Sequence, residues 1–123
     1  MNEPQLHVTE SDRPTVPDIC GTAIDLINNK ISSSKNISLG VVYISPGKSS
    51  TPHYHKVTEE IYYFLEGNGR VIIEDCVFKV GPGSSVYIPL GKLHQVINDS
   101  ATSLKLLSAD SPPYDTADIF TVS

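Results

Sequence analysis

Tryptophan is absent from the 123 residues, methionine occurs once, and cations are scarce: nine Lys and Arg stand against fourteen Asp and Glu, for a net charge of −5. Nucleic-acid binding needs the opposite balance, with cations clustered along one face. No basic block exists, so a nucleic-acid partner is not expected. No apolar run approaches the ~20 residues of a membrane-spanning helix. The polar N-terminus lacks the apolar segment of a secretory signal, so the cytoplasm is the expected location and a membrane partner is not expected. Only two cysteines occur, Cys20 and Cys76, far apart in sequence. Neither has a Cys or His at metal-ligand spacing, and in a reducing compartment both read as free thiols.

What is present fits one folded domain. Hydrophobic residues make up 39% of the chain, enough for one modest core and too few residues for two. Residues 1–36 read as an N-terminal arm and lead-in segment. Pro4, Pro14 and Pro17 break up its first half. The stretch TAIDLINNKI (22–31) fits a helical turn through Ala23, Ile24 and Ile27, and a strand through Ile24 and Leu26 about equally. From residue 37 the pattern is β. Short runs rich in Val, Ile, Tyr and Phe occupy 37–45, 59–66, 70–74, 77–80, 85–89, 94–98 and 103–109. Turn signals separate them, among them Pro46-Gly47, Gly67-Asn68-Gly69 and Gly81-Pro82-Gly83. Asp75-Cys76 is an unusual hairpin loop, because its second position favours a residue tolerant of φ > 0. Short strands at this spacing predict an all-β sandwich or barrel over 37–109. The tail, 110–123, contains Pro112-Pro113 and is expected to pack over the barrel surface.

The four histidines are His7, His53, His55 and His94. In an extended segment His53 and His55 point to one face. Glu60, Tyr62 and Phe64 share a face of the next strand, and Glu59, Ile61 and Tyr63 share the other. His94, Val96 and Asn98 share a face further on. If His53, His55, Glu60 and His94 all face inward, three imidazoles and a carboxylate converge, and burying them without a partner is costly. One divalent transition metal ion (Fe, Mn, Zn, Ni, Co or Cu) removes that cost. Open coordination positions would then remain for chemistry. His-x-His by itself fits a polar surface loop as well. His7 lies in the polar arm and is expected to be solvated, and Glu59 is expected to face solvent.

Two spaced patterns narrow the choice. Gly47, His53, His55, Glu60 and Gly67 stand at the intervals of the first cupin motif. Gly83, Pro89, Gly91, His94 and Asn98 stand at those of the second. Over residues 47–98 the sequence thus resembles the cupin superfamily. The tail SPPY with Asp115 or Asp118 resembles the ending of small cupins called mannose-6-phosphate isomerase-like. The resemblance implies a jelly-roll barrel of antiparallel strands. It implies that His53, His55, Glu60 and His94 are metal ligands. Asn98 is assigned a structural role at its turn.

The resemblance leaves the reaction open. A metal-dependent isomerase, lyase or cyclase acting on a small organic substrate is the first expectation, with the metal as Lewis acid. Tyr62 and Glu60 are the candidate proton-transfer groups. An Fe- or Ni-dependent dioxygenase is the alternative, and a non-enzymatic small-molecule-binding module the third reading. Alternation puts Tyr62, Phe64, Val86, Ile88 and Val96 on the expected pocket wall. Arg70, Lys48, Lys56, Lys79, Lys92 and Lys105 fall at edges or outside, which disfavours a phosphosugar. Ile61 and Tyr63 make the outer face of their strand apolar, and a homodimer is expected to cover it.

Overall fold

A computed structural model describes residues 3–122. Eleven strands follow in order: β1 (Val16–Asp18), β2 (Gly21–Ile27), β3 (Ser38–Ile44), β4 (His53–Tyr54), β5 (Glu59–Glu66), β6 (Gly69–Ile73), β7 (Cys76–Val80), β8 (Ser85–Ile88), β9 (His94–Asn98), β10 (Leu104–Ser111) and β11 (Phe120–Thr121). One helical turn, α1 (Asn29–Ser32), and two 3₁₀ turns, Glu10–Asp12 and Thr116–Asp118, complete it. A six-stranded sheet runs β1-β2-β3-β10-β5-β8, and a five-stranded sheet runs β11-β4-β9-β6-β7. Every pairing is antiparallel. The two sheets enclose one core, which includes Ile44, Phe64, Val71, Ile88, Val96, Leu104 and Leu106. This is the all-β jelly-roll expected from the sequence. No helix among the described residues is long and apolar enough to cross a membrane.

The ambiguous stretch 22–31 divides between both readings. Its first part is β2, paired with β3 through Ala23↔Val42 and Ile24↔Val41. Its second part is α1, capped by Asn28, whose side-chain oxygen accepts from the Lys30 and Ile31 N–H groups. Long-range pairing decides the strand, and a local cap decides the helix. The sheet therefore continues N-terminally of residue 37. The hairpin loop between β6 and β7 lies one residue earlier than expected. Ile73 pairs with Cys76, so Glu74-Asp75 closes it. Glu74 takes φ 52°, and Cys76 sits in a strand without strain.

The N-terminal arm folds back on its own chain. Arg13 Nε donates to the Asp25 carbonyl at 2.9 Å. Glu10 accepts from the Tyr43 hydroxyl and pairs with Lys105. These contacts lie on β2, β3 and β10, and Val41 on the outer face of β3 is fully buried.

The register of the six-stranded sheet orders its inner face into rows. One row is Ala23, Val42, Leu106 and Phe64. The next is Asp25, Gly40, Ser108, Tyr62 and Val86. The third is Ser38, Asp110, Glu60 and Ile88. The inner face thus changes from apolar to polar along the strands. The polar rows face the histidines of the other sheet.

Candidate metal centre

β4 and β9 bring two histidines together directly, because His53 and His94 are cross-strand partners. Their ring centroids lie 4.3 Å apart. His55 follows just after β4, and its ring is 5.1 Å from His53 and 5.4 Å from His94. One ring nitrogen from each of the three lies within 4.8 Å of the others. All three side chains are buried.

Each imidazole is held through Nδ1 by a main-chain carbonyl. His53 bonds to Thr51 at 2.7 Å, His55 to Asp118 at 2.8 Å and His94 to Lys92 at 2.9 Å. A carbonyl only accepts, so each Nδ1 carries a proton, and in the neutral ring each Nε2 presents a lone pair. The Nε2 atoms of His55 and His94 are buried without a hydrogen-bond partner. Glu60 Oε1 approaches them to 3.0 and 3.5 Å, but not in hydrogen-bonding alignment. Burial works against the ionised form of Glu60, yet the His55 and His94 imidazoles and the Asp110 carboxyl outweigh it and hold its pKa well below the usual range. Burial, then the neighbouring His94, pulls the His53 pKa down to about 4. The neutral His53 imidazole, the unpartnered Nε2 atoms of His55 and His94 and the ionised Glu60 carboxylate beside them are therefore gathered at one place. A cation satisfies all of them, and the donor set suits a divalent transition metal.

A family model for the cupin domain matches residues 40–110. The chain is a cupin. It is 33% identical over 94 residues to an uncharacterised protein of Methanocaldococcus jannaschii, covering 76% of this chain and 75% of that one. It is 34% identical over 64 residues to the dimethylsulfoniopropionate lyase DddW of Ruegeria pomeroyi, covering 52% of this chain and 41% of that one. Among solved structures, the polyketide cyclase RemF of Streptomyces resistomycificus superposes with a TM-score of 0.78 at 23% identity, over 97% of this chain and 86% of that one. At that identity the likeness is one of fold.

Around Glu60 this cupin builds a buried polar network. Ser108 Oγ lies 3.2 Å from Glu60 Oε2 and 2.9 Å from Asp110 Oδ1. Ser38 Oγ donates to Asp110 and accepts from the Tyr114 N–H at 2.9 Å. Burial, then the adjacent Glu60, pushes the Asp110 pKa up to about 9. Tyr62 Oη donates to Glu60 Oε1 at 3.3 Å. Burial, then the Glu60 charge, raises the Tyr62 pKa well above the ordinary phenol value. It stays protonated at neutral pH and is a donor rather than a base.

A cavity of about 460 Å³ opens from this network. His53, Glu60, Tyr62, Ser108 and Asp110 line its inner end. The expected wall is corrected here. Phe64, Ile88 and Val96 belong to the closed core, Val86 packs against it, and none of the four lines the cavity. Alternation places a side chain inside or outside but says nothing of its depth along the barrel. Phe64 lies in the apolar row, and Val86 and Ile88 share the Tyr62 and Glu60 rows but sit on the β8 side, whereas the cavity opens on the side of β2, β3 and the tail.

Other residues stand where alternation put them. Asn98 Nδ2 donates to the carbonyls of Ile44 and Thr102, and its oxygen accepts from the Ser100 N–H, a structural role. Glu59 is exposed and accepts from the Tyr87 hydroxyl. His7 is exposed. Sequence reasoning overlooked Asp110 entirely. Its signal was present: Leu106, Ser108 and Asp110 alternate inward, and an acid at an inward position near a site is worth marking.

Proposed function

We propose that this cupin is a metal-dependent enzyme acting on a small organic substrate in isomerase, lyase or cyclase chemistry. One observation carries the reading. Nε2 of His55 and of His94 are buried and unpartnered, lie against the Glu60 carboxylate, and share a cluster with a ring nitrogen of His53. His53, His55 and His94 would hold the ion, with Glu60 as fourth ligand. A bound divalent metal supplies Lewis acidity to a substrate oxygen.

The chain's own groups do the rest. The Tyr62 hydroxyl, held protonated, lies on the cavity wall and can donate a hydrogen bond or proton to a developing oxyanion. Glu60 takes up a proton only if it leaves the ion. His53, His55, Glu60, Tyr62 and His94 are all buried, which strengthens each of these interactions. The lyase DddW, as named, is a member of the first reaction group, and that lends it support over the dioxygenase.

Titration with Zn²⁺ and Mn²⁺ of metal-stripped protein tests this reading. The wild type should bind about one equivalent of metal. His53→Ala and His94→Ala should lose that binding while keeping the β circular dichroism of the wild type. Full metal occupancy in either variant would contradict the ligand assignment.

A further inference from the structure

Gly40 occupies the middle of β3, a position where glycine weakens a strand. Its register partners are Asp25 on β2 and Ser108 on β10, and Ser108 in turn pairs with Tyr62. Asp25, Ser108 and Tyr62 all line the cavity, and so does Gly40. The row of inward side chains is therefore interrupted at one point, beside the candidate proton donor. Backbone conformation does not explain the glycine, since its φ lies outside the left-handed region. Crowding does not require it either. A Cβ built there has a single close neighbour, the Ile24 carbonyl oxygen at 3.4 Å. What the missing side chain provides is space in the cavity.

The space leads outward to a mouth with two exposed lysines, Lys30 and Lys35. Neither takes part in a salt bridge among the described residues, whereas Arg70 and Lys105 do. Carboxylates also line the cavity, but most are engaged. Asp18 accepts from the Tyr114 hydroxyl and the Cys20 N–H. Asp115 accepts from the Ala117 N–H. Ala23, Val42 and Leu106, one row from Gly40 on the side away from the lysines, give the cavity an apolar floor.

We propose that Gly40 is the specificity-determining position of this cavity. The gap it leaves admits the apolar body of an organic acid. That acid's metal-binding oxygen lies at the histidines, and its anionic end reaches Lys30 and Lys35. The proposal rests on the metal-centre reading above.

The probe is 8-hydroxyquinoline-5-sulfonate, a chelating aromatic with an anionic far end, used with its neutral parent 8-hydroxyquinoline. Each is titrated into the Zn²⁺-loaded protein by fluorescence, and zinc retention is checked by elemental analysis after gel filtration. Gly40→Ala, Gly40→Val and Gly40→Leu should weaken both probes in order of side-chain volume. Gly40→Leu should cost about tenfold or more and leave zinc content unchanged. The double variant Lys30→Gln/Lys35→Gln should weaken the sulfonate about fivefold, in keeping with partly exposed ion pairs, and leave the neutral parent unaffected. If Gly40→Leu misfolds, the Ala and Val variants and the lysine pair still decide. Zinc retained with probe affinities unchanged across the Gly40 series would overturn this inference alone. Equal losses of both probes in the lysine variant would overturn its anionic end. A wild type that holds no zinc would overturn the metal-centre reading and this inference with it.

Discussion

His55 Nδ1 donates a hydrogen bond to the main-chain oxygen of Asp118 at 2.8 Å, across 63 residues of sequence. The same Asp118 accepts with its carboxylate from the N–H groups of Lys56, Val57 and Thr58. One tail residue thus fixes both the tautomer of a candidate ligand and the loop that follows it. β11 then pairs with β4 through Phe120↔Tyr54 and Thr121↔His53. The tail is part of the site's frame rather than a wrapper on the barrel.

Asp118→Ala keeps the carbonyl that holds His55 but removes the carboxylate that anchors the tail to residues 56–58, so it should weaken metal binding indirectly, by loosening the frame. The loss should be about 10-fold or less, at or below the low end of the cost of deleting a group that itself orients a metal-binding histidine. Three N–H groups would also lose their acceptor, for about 1–3 kcal/mol of stability. Asp118→Asn, which keeps one acceptor oxygen, should fall between. Competition titration against a chromophoric zinc chelator measures the first effect, and denaturant unfolding the second. Unchanged zinc affinity in Asp118→Ala would show that the carboxylate's hold on residues 56–58 does not shape the metal centre.

Metal removal should lower the melting temperature. A ligand that binds only the folded state stabilises it by about 2.7 kcal/mol at a hundred times its dissociation constant. Stripping the ion also leaves buried lone pairs facing one another. Differential scanning calorimetry of stripped and Zn²⁺-reloaded protein is the check. Coincident transitions would mean that the folded state gains nothing from the ion.

Much of this was legible beforehand, for identifiable reasons. The spacing of His53, His55, Glu60 and His94 follows from strand periodicity and turn length, both local properties. The sequence therefore marks them, and the structure brings the three histidines together beside Glu60. Depth within the barrel was not legible. Nor was the side on which the cavity opens: Phe64 and Val96 lie in the closed core, and Val86 and Ile88, level with Tyr62 and Glu60, sit on the β8 side away from it. Residues 22–31 were undecided because only the pairing of Ala23 and Ile24 with β3 makes that segment a strand. Asp110 was legible from the inward alternation of its strand and was passed over, whereas the Asp118 carbonyl reaches His55 across 63 residues, which no window reading can see.

Tyr62→Phe should separate proton donation from metal binding. The substitution keeps the ring, which meets Phe64 and His94 edge-on at 6.5 and 6.1 Å. With a substrate in hand, turnover should fall by about 10²-fold or more, the usual scale for a lost general acid. Metal affinity should stay close to that of the wild type. Unchanged turnover would leave Tyr62 as a core residue whose hydroxyl is satisfied by Glu60.

The outer face of the six-stranded sheet remains apolar away from the arm. Ile61 and Tyr87 are cross-strand partners, 50% and 52% exposed, with Tyr63 alongside at 43%. A second copy of the chain is the proposed cover. Light scattering should give twice the chain mass for the wild type. Ile61→Lys, placed at the centre of that face, should give the chain mass itself with the fold intact. A wild type that is monomeric at every concentration would leave the face open to solvent.

The account stands or falls on the ion. Protein purified without a histidine tag, handled anaerobically and measured by inductively coupled plasma mass spectrometry, should carry about one divalent transition-metal atom per chain. His94→Ala, measured in parallel, should carry none. A wild type that holds no metal as purified, and still none after reconstitution with Fe²⁺, Mn²⁺, Zn²⁺, Ni²⁺, Co²⁺ and Cu²⁺ in turn, would contradict the metal centre and leave a binding module in its place.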